Sequence, residues 1–225
     1  MALSNEEHKA MRLAELSGRS GVATATIKYY LREGLLPAGR RVSATRADYD
    51  EGHLRRLRLV RAMIQVGRMP VAKAREVLAA LDDDSVDQHT RLGAASWALP
   101  HGPEPAWDDE GTQVARATAD ALLETLEWRF SGDLGAESPA YGMLVAAIDT
   151  MNRLGYPCEV GHLLPYGRLA AQLAVTDLDL VEDNDTPEGR IEAAVAMTVL
   201  YEPVLLSLRR MAQAEESNHR FTEGT

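Results

Sequence analysis

The chain carries one cysteine, Cys158, in 225 residues, so it can form no internal disulfide, and its thiol content matches a reducing compartment. The first residues, Met1 to Lys9, are polar and lack the apolar core of an export signal. No apolar run approaches the roughly 18 residues of a membrane span, so a cytoplasmic protein without membrane insertion is expected. Chemistry-bearing motifs are also missing. Gly132-Asp133-Leu134-Gly135 is too short for a dinucleotide loop, and His89, His101 and His162 lack metalloenzyme spacing. No nucleophile sits beside a base in a recognisable pattern, so neither an enzyme nor a cofactor is expected. Cys158 and His162 lie four residues apart, yet with no second cysteine this reads as a buried thiol and a surface histidine rather than a metal site.

What is present is a charge split. The net charge of −10 would repel a polyanion, but residues 1–81 carry 15 Lys and Arg against 8 Asp and Glu, a balance of +7. Residues 82–225 carry 9 against 26, a balance of −17. A basic head on an acidic body points to nucleic acid at the head alone; clustered, solvated surface charge gives the same count.

Apolar spacing predicts helices almost throughout. Leu13 and Leu16 begin a short one that ends near Gly18, and Ser20-Gly21 turns the chain. A second runs from about Thr24 to Glu33, with Ile27, Tyr30 and Leu31 on its apolar side and Gly34 as its C-terminal cap. Two short helices around a glycine-containing turn make a helix-turn-helix pattern. Between Ala38 and Tyr49 the helical period is lost and Arg40, Arg41 and Arg46 appear, as in a basic hairpin that reaches phosphates or as in any solvated loop. A third helix is expected from Asp50 to Val66 and a fourth from Pro70 to Leu81. The run Asp82-Asp83-Asp84-Ser85 marks a boundary. Further helices follow at about 86–99, Thr112 to Phe130, Tyr141 to Leu154, Leu163 to Val175 and Pro187 to Glu216, the last kinked or split by Pro203. With no strand alternation or repeat, the body reads as a bundle of about five helices.

These residues carry a resemblance. Met11-Arg12-Leu13-Ala14-Glu15-Leu16, Gly21-Val22, Thr26-Ile27-Lys28-Tyr29-Tyr30, Glu33-Gly34-Leu35-Leu36-Pro37 and Asp50 to Arg61 are together similar to the N-terminal domain of MerR-type bacterial regulators. The resemblance implies an all-α, mainly helical protein: a winged helix-turn-helix over 1–81, a linker with a short helix over 82–110, and a helical effector-binding or dimerisation domain over 111–225. It implies a homodimer on double-stranded promoter DNA, which distorts an overlong spacer so that RNA polymerase engages indirectly. Its implied DNA contacts are Arg12, Thr24, Thr26, Lys28, Tyr29, Arg32, Arg40, Arg41, Arg46, Tyr49 and Arg55. A lysine or arginine neutralises a phosphate, and a tyrosine hydroxyl donates to one. Tyr30, three residues after Ile27, is expected in the core. The family's long dimerisation helix usually follows the fourth helix; Asp82 to Pro105 cannot supply it, which leaves the final helix for that task.

For an effector, the aromatics Trp97, Trp107, Trp128, Tyr141, Tyr166 and Tyr201 all lie beyond residue 81. With nearby acids such as Glu124, Glu127, Asp149 or Glu202 they suit a lipophilic cation; a packed helical core uses the same residue types. A sensor regulator and a ligand-sequestering protein with secondary DNA binding both fit this composition.

Overall fold

A computed structural model describes residues 10–43, 46–102, 104–128, 138–184 and 186–222. Phe130, the Gly132–Gly135 stretch and the polar N-terminus 1–9 lie outside the described residues, as do the side chains of His89 and Leu92. The described chain is mainly helical, with one two-stranded sheet. It divides into two compact units, one made of residues up to 96 together with residues from 181 onward, the other of residues 97–180.

The first unit opens with α1 (Leu13–Ser20) and α2 (Thr24–Arg32). No side chain caps α2 at Ala23. At its other end Gly34, at φ +74°, lets the Leu35 N–H return to the Tyr30 carbonyl at 2.9 Å, so the last carbonyls are satisfied without a side chain. Strands β1 (Arg40–Ser43) and β2 (Arg46–Asp48) pair antiparallel as the expected hairpin, Arg40 opposite Asp48 and Arg41 opposite Ala47. The Met11 and Tyr49 backbones exchange hydrogen bonds at 2.7 and 2.8 Å, which ties the hairpin base to the entry of α1.

Asp50 caps α3 (Glu51–Arg61) by accepting the His53 N–H at 3.1 Å. Burial pushes the Asp50 pKa up, but the His53 hydrogen bonds outweigh it and hold the carboxyl below its usual range. The helix continues as a π-turn, Ala62–Val66, before α4 (Val71–Leu81), in which Pro70 is the N-cap rather than the first helical residue. Leu16, Ile27, Tyr30, Leu36, Leu57 and Val77 are among the buried side chains that weld these elements together.

Helix α9 (Pro187–Thr222) belongs to the same unit. Its first half packs on α3 and the π-turn through buried Ile191, Val195 and Val199. A Cβ at Gly67 would lie 2.7 Å from Val199, so only glycine admits α9 this closely. Of the kink or split expected at Pro203, the split does not occur: α9 runs through it as one helix of 36 residues, about 54 Å long at 1.5 Å per residue. The missing Pro203 N–H costs one backbone hydrogen bond, the one to the Val199 carbonyl a turn earlier. No uninterrupted apolar run of about 18 residues occurs in α9, although Gly189–Phe221 contains an 18-residue window with a mean hydropathy of 1.6 that by length and composition alone suits a membrane span.

The second unit is built on α6 (Glu110–Thr125) against α7 (Pro139–Leu154). Asp109 and Ser138 cap them, accepting the Thr112 and Tyr141 N–H groups at 3.1 and 3.2 Å. Ala115, Ala119, Tyr141, Val145, Ile148 and Cys158 form the core. Helix α8 (Val160–Glu182) starts earlier and ends later than the expected 163–175, and Pro165, in its second turn, does not stop it. Helix α5 (Gln88–Ala98) precedes α6.

Candidate nucleic-acid interface

The α1–α2 pair and the hairpin enclose a cleft of about 460 Å³ whose lining includes Arg12, Lys28, Arg41, Arg46 and Tyr49. Five of the eleven expected DNA contacts therefore converge, although they come from α1's N-cap, the middle of α2 and both strands. Helix α2 sets the geometry: Ile27 and Tyr30 are buried, which turns Lys28 outward. Four cations meet there with little to neutralise them. Arg46 pairs with Asp48 at 3.8 Å, and the same carboxylate stands 4.0 Å from Arg40, whereas Arg12, Lys28 and Arg41 make no ion pair among the described residues. Such a cleft attracts a polyanion, since most of its positive charge is not spent inside the fold.

The other expected contacts are placed differently. Thr24 is exposed and Thr26 half-buried on α2. The Arg32 guanidinium lies 5.8 Å from the centre of the Tyr29 ring, a cation–π pair at the rim of the helix. Arg40 projects from the hairpin with its side chain 79% exposed. Tyr49 is 7% exposed, its ring edge-on to His53 at 5.2 Å, so it offers the cleft a wall more than a reaching side chain. Arg55 faces Glu192 of α9 at 3.7 Å. Its neighbour Arg56 donates to Glu192 at 2.9 Å and to Asp82 at 3.0 Å. Burial alone would lower the Arg56 pKa; the Asp82 and Glu192 carboxylates more than reverse this and raise it. Glu192 was not expected here, because 136 residues separate it from Arg56 and no local pattern connects them. Ser43 and Ala47, also in the cleft lining, are small residues that leave room without signalling it.

The model of MerR helix-turn-helix regulatory proteins matches residues 11–81. A solved structure of a candidate transcriptional regulator from Streptomyces coelicolor A3(2) is 53% identical, with a TM-score of 0.83, over 94% of this chain and 98% of that one. The chain belongs to the MerR family of transcription regulators. No curated protein matches it.

Beyond its head, the six expected aromatics of this MerR regulator are divided between the two units. Trp107 and Tyr141 stack at 6.3 Å and 8°. The Tyr141 hydroxyl donates to Asp120 at 2.5 Å; burial and then that carboxylate push its pKa up to about 12. Trp107 also lines a pocket of about 130 Å³ with Glu104, Pro105, Pro139 and Met143 among its walls. Trp97 is half-buried, whereas Trp128 and Tyr166 are exposed. Tyr201 is exposed on α9, in the other unit. The Cys158 thiol is buried and donates to Asn152 Oδ1 at 2.8 Å, while His162 is exposed.

Proposed function

We propose that this MerR regulator binds double-stranded promoter DNA as a homodimer, distorts it, and is modulated by a small molecule taken up by residues 97–180. The observation that carries the reading is the cleft lined by Arg12, Lys28, Arg41 and Arg46. A guanidinium or ammonium without a carboxylate at contact distance gains by pairing with a phosphate and releasing its counterion. Contacts made only on bent, untwisted DNA offset the deformation energy, so an overlong spacer would be brought into register for RNA polymerase without direct contact to it. This reading makes the chain a cytoplasmic, non-enzymatic protein that needs no cofactor.

Dimerisation falls to α9. From Leu200 onward every described side chain is exposed, including Tyr201, Val204, Leu205, Leu208 and Met211. A second copy covers this surface better than lipid does. Glu202 interrupts the apolar stretch, and Arg209, Arg210, Glu215 and Glu216 follow it; each charge at bilayer depth costs about 2.5–3.5 kcal/mol. The pocket beside Trp107 supports a modest effector, since drug-sized sites run from about 300 Å³ upward.

The test is binding and bending of the DNA upstream of this gene by purified full-length protein. The expected result is a dimer-dependent complex that circularises short fragments more readily than free DNA. A protein that gives no complex, or a complex of unbent DNA, contradicts the reading.

A further inference from the structure

Strand β1 reads Arg40-Arg41-Val42-Ser43, and no other serine or threonine of the chain has two Lys or Arg among the three residues before it. All four residues of the strand are exposed. The sheet has two strands, so the outer edge of β1 has no partner strand among the described residues. An enzyme that takes its substrate as an extended segment can lie along this edge and meet two guanidinium groups with its own carboxylates, which brings it to the Ser43 hydroxyl. Other hydroxyls of the head are engaged or covered. Ser17 donates to the Val22 carbonyl at 2.6 Å, and Ser20 is 5% exposed.

Ser43 also stands where an added charge has most effect. It lines the same cleft as Arg12, Lys28, Arg41 and Arg46, and it is opposite Arg46 across the hairpin. Opposed residues of an antiparallel pair have Cβ atoms about 4.5–5.5 Å apart, so a phosphate on the Ser43 Oγ comes within reach of the Arg46 guanidinium. Arg46 now has one carboxylate, Asp48 at 3.8 Å, and Arg12, Lys28 and Arg41 make no ion pair among the described residues. A phosphoserine brings a charge of about −1.5 to −2 at neutral pH and three acceptor oxygens, the same chemistry that a DNA backbone presents. It would pair these cations within the chain and repel the phosphates of a duplex.

We infer that Ser43 is a phosphorylation site for an arginine-directed protein kinase, and that its phosphate releases the regulator from DNA. The inference rests on the reading of the cleft as the DNA interface. In the transfer the Ser43 Oγ attacks the γ-phosphorus of a nucleoside triphosphate held by the kinase. The bond from that phosphorus to its bridging oxygen breaks, the nucleoside diphosphate leaves, and the hydroxyl proton passes to a carboxylate of the kinase. Kinase and DNA need the same face of the hairpin, so free protein is modified and modified protein stays free. This control acts at the head and needs no ligand in residues 97–180.

The test treats full-length protein with Mg·ATP and the catalytic subunit of cyclic-AMP-dependent protein kinase, which reads paired arginines ahead of a serine. Mass spectrometry should find one phosphate, at Ser43, and Ser43→Ala should take up none. Adding the promoter fragment should slow the reaction. The modified protein should bind that fragment on the order of a hundredfold more weakly, with the slope of log K against log salt reduced by about 1.8, two phosphate contacts at about 0.9 each. A phosphatase should restore both values, and kinase treatment should leave the affinity of Ser43→Ala where it began. Protein recovered from its own cells should carry the same phosphate. A phosphate that goes elsewhere, or a Ser43 unmodified both in the cell and by the kinase, overturns the site. Unmodified protein that gives no DNA complex overturns the reading of the cleft and the switch with it, whereas equal affinity and salt slope before and after modification overturn only the switch.

Discussion

The cleft of the head and the α6–α7 pair of residues 97–180 treat charge in opposite ways. In the head, Arg12, Lys28, Arg41 and Arg46 are brought together by elements far enough apart in sequence that the fold must be assembled first, and of the four only Arg46 has an ion-pair partner among the described residues, Asp48 at 3.8 Å. In the second unit, Arg153 bridges Asp109 and Asp149, and Tyr141 donates to Asp120. One region keeps its charge for something outside the chain; the other consumes it in positioning its own helices. A basic count alone does not distinguish these uses, whereas partner distances do.

Substitutions that separate the two uses sharpen the contrast. The largest effect belongs to the buried core of the second unit: Ile148→Ala should cost about 3 kcal/mol in denaturant unfolding while leaving the DNA affinity of the folded protein unchanged. Lys28→Ala and Arg41→Ala should do the reverse, each lowering promoter affinity about tenfold and reducing the slope of log K against log salt by about 0.9, with unfolding midpoints unmoved. An unchanged salt slope would remove the cleft from the DNA interface. Tyr141→Phe should cost about 1 kcal/mol, because it leaves Asp120 without its donor. The same residue sets a pH signature. With its pKa raised from 10 to about 12, Tyr141 stabilises the fold fully below pH 10, and that contribution is lost as pH rises through 12. Phenylalanine should flatten the loss measured by thermal unfolding between these values. Smallest of all, Arg153→Ala at the surface should alter DNA affinity not at all and thermal stability only slightly; a clear drop in affinity would mean that the second unit also faces the nucleic acid.

Most of the head was legible in the sequence because its signals are local. The glycine at 34, the Ile27–Tyr30 spacing and the Asp50 cap each act within four residues, so the elements and the outward aim of Lys28 follow from short-range rules. What was not legible depends on which faces meet. Helical periodicity marks Ile191, Val195 and Val199 as apolar, but not that they close over α3, nor that Glu192 there takes two arginines of the head. Pro203 looked like a break because propensity prices the lost hydrogen bond without the gain of a continuous helix. Composition names the aromatics of the body but carries no distances, so the stacking of Trp107 on Tyr141 is visible only in the structure.

The close seat of Val199 on Gly67 has a consequence for synthesis. The ribosome makes the residues of α1 to α4 first and reaches α9 more than a hundred residues later, a delay of roughly ten seconds at about 5–20 residues per second. Throughout that interval the nascent head has an open flank at Gly67, and Arg56 waits for Glu192. A stalled or prematurely terminated chain thus emerges with its regulator head begun and unsealed, an apolar flank for chaperones or proteases to find.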